Sequence, residues 1–150
     1  MGTRRKSREF ALQALFYMDT IQDSAKEVFE LFCTNFNPDP QIVPFAEKII
    51  EGVIQAQNEL DAIIERFSAN WKVYRMPTVD RNILRIALYE MLYCTDIPYK
   101  VAINEAIDIA KDFSSEESGA FVNGILDSIR IAQEKGDISN QLKKFKEKEI

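Results

Sequence analysis

Arg4-Arg5-Lys6-Ser7-Arg8 places four cations in five positions at the start of the chain, three of them guanidiniums. A guanidinium is planar, weakly hydrated and forked, and it matches phosphate oxygens two at a time. Arg4 and Arg8 stand at i,i+4, and Arg5 and Arg8 at i,i+3, so on a helix several of them face one way. That is the chemistry of gripping a polyanion. The plainer account is a solvated terminus with Arg8 paired to a nearby carboxylate, and a short basic cluster alone does not decide between the two.

The rest of the chain carries the opposite charge. Residues 10–140 hold eleven basic side chains against twenty-one acidic ones, and the 150-residue chain has a net charge of −5. Histidine is absent, which removes the commonest acid/base group at neutral pH. Cys33 and Cys94 lie far apart among apolar neighbours and read as buried free thiols in a reducing cytosol, although a disulfide stays open. Carboxylates are plentiful, but no pair stands in a catalytic context. There is no phosphate loop, dinucleotide fingerprint or metal-ligand cluster, so neither an enzyme nor a cofactor is expected. No signal peptide is legible and no apolar run approaches the roughly 20 residues of a membrane span. The chain reads as a cytoplasmic protein.

Helices must position these groups. Over residues 4–20, Lys6, Glu9, Gln13, Tyr17 and Thr20 form one narrow polar stripe. Phe10, Ala11, Leu12, Ala14, Leu15 and Met18 cover most of the remaining circumference, with Phe16 at the margin. Ser24-Ala25-Lys26-Glu27 reads as a capping box opening a second helix, which Asn37-Pro38-Asp39-Pro40 ends. A third helix is predicted from about Pro44 to Ala56, with Asn58 capping a short fourth to Phe67. Trp71–Met76 is a connector packed by Trp71.

Thr78 is expected to cap a helix over Val79–Cys94 whose polar face is Arg81, Asn82, Arg85 and Tyr89. There the default reading pairs the arginines with Asp80, Glu105 or Asp108. Val101–Phe113 follows, then a capping box at Ser114–Glu117 and a last helix to about Lys135, closed by Gly136. Ala120, Gly124 and Ser128 share one face and suit close helix approach. Ile138, Leu142 and Phe145 recur at helical spacing in the lysine-rich tail. The fold class is therefore all-α, about seven helices in one domain, with helical subdomains at about 1–67 and 72–135 and a basic tail at 137–150. Tyr17, Tyr89, Tyr99 and Phe121 are candidate platforms for stacking nucleobases. The plainer account leaves Phe121 in the core.

Three blocks carry a resemblance. Val79-Asp80-Arg81-Asn82-Ile83-Leu84-Arg85-Ile86-Ala87-Leu88-Tyr89-Glu90, Pro98-Tyr99-Lys100-Val101-Ala102-Ile103-Asn104-Glu105-Ala106 and Phe121-Val122-Asn123-Gly124-Ile125-Leu126-Asp127 resemble the NusB family of bacterial transcription antitermination factors. Arg4–Glu9 and Ala11–Phe16 resemble that family's opening. The resemblance implies a two-subdomain helical fold that binds boxA RNA together with NusE, a small-subunit ribosomal protein. That assembly acts on the transcription elongation complex and promotes read-through, especially in ribosomal RNA operons.

By the same resemblance Arg4, Arg5, Lys6 and Arg8 contact RNA phosphates, Arg85, Glu117 and Phe121 lie at or near the RNA surface, and Phe16 and Asp80 meet NusE. Two departures stand out. Phe113-Ser114 replaces a Phe-Gly pair, and Gly119-Ala120 replaces bulkier or basic residues. Some relatives form homodimers, and nothing in this sequence decides that state here. Two other readings remain. One is a helical protein–protein interaction module without RNA binding; the other is an accessory domain of an RNA-modifying enzyme, which lacks support because no methyl-donor loop is present.

Overall fold

The computed structural model describes residues 2–69 and 71–138. Six α-helices run in order: α1 (Gly2–Ile21), α2 (Lys26–Phe36), α3 (Val43–Arg66), α4 (Thr78–Tyr93), α5 (Tyr99–Phe113) and α6 (Glu116–Glu134). A 3-10 turn at Val73–Arg75 links α3 to α4. There is no strand among the described residues, and no helix there is long and apolar enough to cross a membrane. Leu142 and Phe145 of the tail lie outside the described residues.

The third and fourth predicted helices are one. Asn58 lies exposed on the outer side of α3, while Val53, Ala56, Leu60, Ile63 and Ile64 keep an unbroken buried face across it. A solvated Asn lowers helix propensity by only about 0.7 kcal/mol, too little to interrupt such a stripe. Pro44 sits in the first turn of α3, where its missing N–H costs nothing.

The capping box at 24–27 also fails to form. Asp23 accepts from the Ala25 N–H at 3.0 Å instead, and α2 starts at Lys26 with no side-chain cap. At α6 the cap is Ser115, accepting from Ser118 N–H at 3.1 Å, so Glu117 is not the reciprocal partner. Pro77, not Thr78, is the residue preceding α4.

α4 packs against α1, α3, α5 and α6, and twelve of its side chains are buried. α3 can approach it closely because Gly52 faces the Tyr89 ring with no room for a Cβ. The small-residue face of α6 plays no such role. Gly124, Ala120 and Ser128 are exposed, and a Cβ on Gly124 would meet nothing. Gly119 makes the close approach, against Lys111 and the Ile107 carbonyl of α5. Cys33 and Cys94 are free thiols, both pushed up from their ordinary pKa chiefly by burial.

Four charged side chains are buried in this core, Arg8, Asp80, Arg85 and Glu90. Arg8 of α1 is 3% exposed and meets Glu90 of α4, itself 1% exposed, through Nε at 2.9 Å and Nη2 at 2.6 Å. Its Nη1 donates to Glu105 of α5 at 3.1 Å. Beside it the buried Ser7 hydroxyl donates to the Ile42 carbonyl at 2.9 Å, tying the same turn to the start of α3. At the other end of the core Asp80 of α4 is buried, with one carboxyl oxygen lacking a hydrogen-bond partner among the described residues. Burial raises its pKa, and a Ser118 hydrogen bond offsets only part of that.

Two outcomes follow from these buried groups. Glu90→Gln leaves Arg8 incompletely neutralised in the core and is expected to cost about 3 kcal/mol in urea unfolding, while Arg8→Met/Glu90→Leu recovers most of that loss. For Asp80 the raised pKa means that its contribution is most favourable below the ordinary value of 3.8 and declines as pH rises through the folded value. Asp80→Asn should therefore gain on the wild type between pH 4 and pH 7, and parallel urea midpoints at the two pH values would refute this.

Candidate nucleic-acid interface

The first two turns of α1 divide their cations between inside and outside. Arg4 and Arg8 share a face, as their spacing requires, and both guanidiniums lie over the Phe45 ring, at 4.9 and 5.4 Å. That face looks at the body of the protein. Arg8, expected to contact phosphate, is here paired with Glu90 and Glu105, its charge neutralised and only 3% exposed.

Arg5 is half-buried between Glu105 and Asp108, 3.1 Å from the latter. Its Nε is buried without a partner among the described residues, while Nη2 makes both ion pairs at the surface. Arg4 is half-exposed and reaches Asp96 at 3.3 Å. The Arg4 hydrogen bond, then one from the backbone, hold the Asp96 carboxyl below its usual range. Lys6 is exposed. The outward cationic set is Arg4, Lys6 and the rim of Arg5. Exposed pairs such as Arg4–Asp96 contribute little and exchange readily for another anion.

A second cluster lies where α4 crosses α1 and α3. Asp19 accepts from Arg81 Nε at 2.8 Å, Asn82 Nδ2 at 2.9 Å and Arg85 Nη1 at 3.1 Å. Arg85 also forks onto Asp61 of α3 at 2.8 and 2.9 Å. Burial pushes Asp19 upward, but the Arg81 and Asn82 hydrogen bonds and the charges of Arg85 and Arg81 outweigh it, leaving its pKa low. Arg85 is thus 6% exposed with its donors spent on its own protein. Like Arg8, it was expected to meet RNA, and here its donors go to carboxylates and an amide of its own helices. The expected partners of the α4 arginines were wrong: Asp19 and Asp61 take them, while Glu105 and Asp108 serve α1.

Asp80, expected at the partner contact, is 4% exposed, with one carboxyl oxygen unpartnered among the described residues. Phe16 behaves otherwise. It is 40% exposed and lines an apolar groove of about 350 Å³ with Tyr17, Phe32, Phe36, Val79 and Phe113. Glu117 is exposed in the first turn of α6. Phe121 is half-buried with its ring edge-on to Trp71 at 5.6 Å. Of the remaining platform candidates, Tyr89 is buried in a stack with Tyr93, Tyr99 is half-buried, and Tyr17 belongs to the groove.

Glu90, which fixes the arm, was missed, and Glu105 was expected to pair with the α4 arginines rather than with Arg5 and Arg8. The available signal was a lone carboxylate at Glu90 inside Ile86–Leu92, a stretch otherwise too apolar to be surface.

The NusB family model matches residues 5–130. The chain is 53% identical to the transcription antitermination protein NusB of Desulfatibacillum aliphaticivorans over 87% of this chain and 92% of that one. Identity to the Myxococcus xanthus NusB is 44%, over 90% of this chain and 99% of that one. Among solved structures, T. maritima NusB superposes with a TM-score of 0.76 at 39% identity, covering 87% and 91% of the two chains. A structure of the antitermination factors NusB and NusE in complex with dsRNA superposes with a TM-score of 0.78 at 26% identity, covering 88% and 98%. Helix order, the blocks in α1, α4, α5 and α6, and these matches agree: the chain belongs to the NusB family.

Proposed function

We propose that this chain is a transcription antitermination factor that works by binding rather than catalysis, holding boxA RNA and NusE side by side on a transcript. The observation that carries the reading is the likeness, over nearly the whole of that chain, to a NusB seen with NusE and dsRNA. The geometry gives it a mechanism. Arg4, Lys6 and the outer rim of Arg5 meet RNA phosphates, while Arg8 holds the arm against the body. Glu117 and Phe121 border the RNA, and the groove around Phe16 takes NusE.

Residues 10–140 are strongly acidic, so the chain alone binds RNA weakly. NusE completes the site, and the pair delivers the RNA to the elongation complex in the cytoplasm.

Two measurements test this. Arg4→Ala/Lys6→Ala should weaken boxA binding in the presence of NusE and flatten the slope of log K against log salt by about 1.4, since each single-strand phosphate contact contributes about 0.7. An unchanged slope removes the phosphate grip. Phe16→Asp should keep the wild-type circular dichroism spectrum, because the ring is already partly solvated, yet lose at least about tenfold in NusE affinity, as expected for an interface anchor. NusE capture at wild-type strength rejects the groove, and boxA binding that is absent with NusE favours a protein-interaction module without RNA.

A further inference from the structure

The link between α3 and α4 has a composition unlike the rest of the acidic body. Residues 66–79 contain Arg66, Lys72 and Arg75, the aromatics Phe67, Trp71 and Tyr74, and no carboxylate. The sequence reading made Trp71 the packing anchor of this link. In the fold the anchors are Val73 and Met76, each 3% exposed, while Trp71 is 48% and Tyr74 69% exposed. Polar contacts fasten the backbone as well: Val73 N–H donates to Glu65 at 2.9 Å, and the Ser68 hydroxyl to the Trp71 carbonyl at 3.1 Å. The indole is therefore surplus to holding the turn. It touches Phe121 edge-on and leaves much of its surface in water.

The cations lie among these rings. Arg66 sits over the Phe67 ring at 4.9 Å and Arg75 over Tyr74 at 5.8 Å. Lys72 is 59% exposed; Glu65, the carboxylate flanking the run, is 3.8 Å from its amine and already accepts from Val73 N–H. Exposed aromatics interleaved with cations, in a run with no carboxylate of its own, suit one ligand class. Unpaired bases stack on rings of any kind while arginine and lysine follow the backbone. A protein interface core would instead be depleted in lysine. A duplex hides its base faces in its own stack.

We infer that Trp71 and Tyr74, with Arg66, Lys72 and Arg75, form a second RNA contact that stacks bases of a single strand. The inference rests on the RNA-binding reading above and extends it from Phe121, which Trp71 touches, onto the α3–α4 link. Phe45, beside Arg4, and Arg66 stand 21 residues apart on α3, about 30 Å at 1.5 Å per residue. At about 3.4 Å per stacked nucleotide a single strand of roughly nine nucleotides spans both contacts.

Trp71 is the chain's one tryptophan, so its emission reports this surface directly. The experiment titrates the full chain, with NusE present, with a labelled single-stranded boxA RNA of about 15 nucleotides and with the same RNA annealed to its complement. Affinity is read by anisotropy, and emission is read against NusE alone as the blank. The single strand should quench Trp71 at saturation and the duplex should not. Trp71→Ala should weaken single-strand binding about 5- to 100-fold, the range for losing one stacked base, and Trp71→Phe should restore most of it with the same thermal midpoint.

Flat Trp71 emission at saturation together with wild-type affinity in Trp71→Ala overturns the stacking contact and leaves the α1 grip standing. Equal quenching by the duplex overturns it too, as does a Trp71→Ala chain that loses NusE but keeps RNA. A wild-type chain that binds neither RNA at any salt overturns this inference and the functional reading together.

Discussion

A guanidinium sealed inside a helical core is tolerable only if each of its donors finds an acceptor, and Arg8 meets that condition through Glu90 and Glu105. Stripping water from both charges costs several kcal/mol, which the attraction repays only in good geometry. The pair therefore acts as a register: α1 sits on α4 and α5 in the one placement that closes it. Ser7 makes the same demand toward α3 one residue earlier. Everything proposed for the arm depends on this clamp, because it decides which side of the first two turns faces water.

The same logic accounts for where positive charge is left over. The body has nearly twice as many carboxylates as cations, and those of Asp19, Asp61, Glu90 and Glu105 are committed to arginines of its own helices. Cations turned to solvent then stand out in two places, the start of α1 and the α3–α4 link. A polyanion approaching such a surface meets net repulsion at long range, screened beyond about 8 Å at physiological salt, and local attraction at those two places. Local contact rather than overall field would decide binding, which is consistent with a factor that needs a partner.

Much of this was legible in residue spacing. The α1 wheel gave the apolar buried set correctly, without the buried Ser7 and Arg8, and put Phe16 at its margin, where the ring is 40% exposed. Helix order and the αL glycine at Gly136 followed from capping and periodicity. The site was less legible, for a definite reason. Spacing says that Arg4 and Arg8 share a face, but the acid that turns that face inward is 82 residues away at Glu90. Arg85 is the same case, with Asp61 and Asp19 as its distant partners. The errors at Ser24 and Asn58 were local: a nearby Asp outcompeted one cap, and a continuous apolar stripe overrode the other.

Burial of these arginines also constrains how a nucleic acid can use the protein. Recruiting Arg8 to phosphate means stripping Glu90 of its counter-ion inside the core, a loss of about 3–5 kcal/mol. A new charged hydrogen bond to a phosphate returns about 1.5–3 kcal/mol, so the exchange is unfavourable unless the helices separate. Arg4 faces the opposite balance: its bond to Asp96 is solvent-exposed and contributes little, so trading it for phosphate is favourable. The division of labour within one five-residue cluster therefore follows from depth alone, with the shallow cations left to the ligand and the deep ones held by the fold.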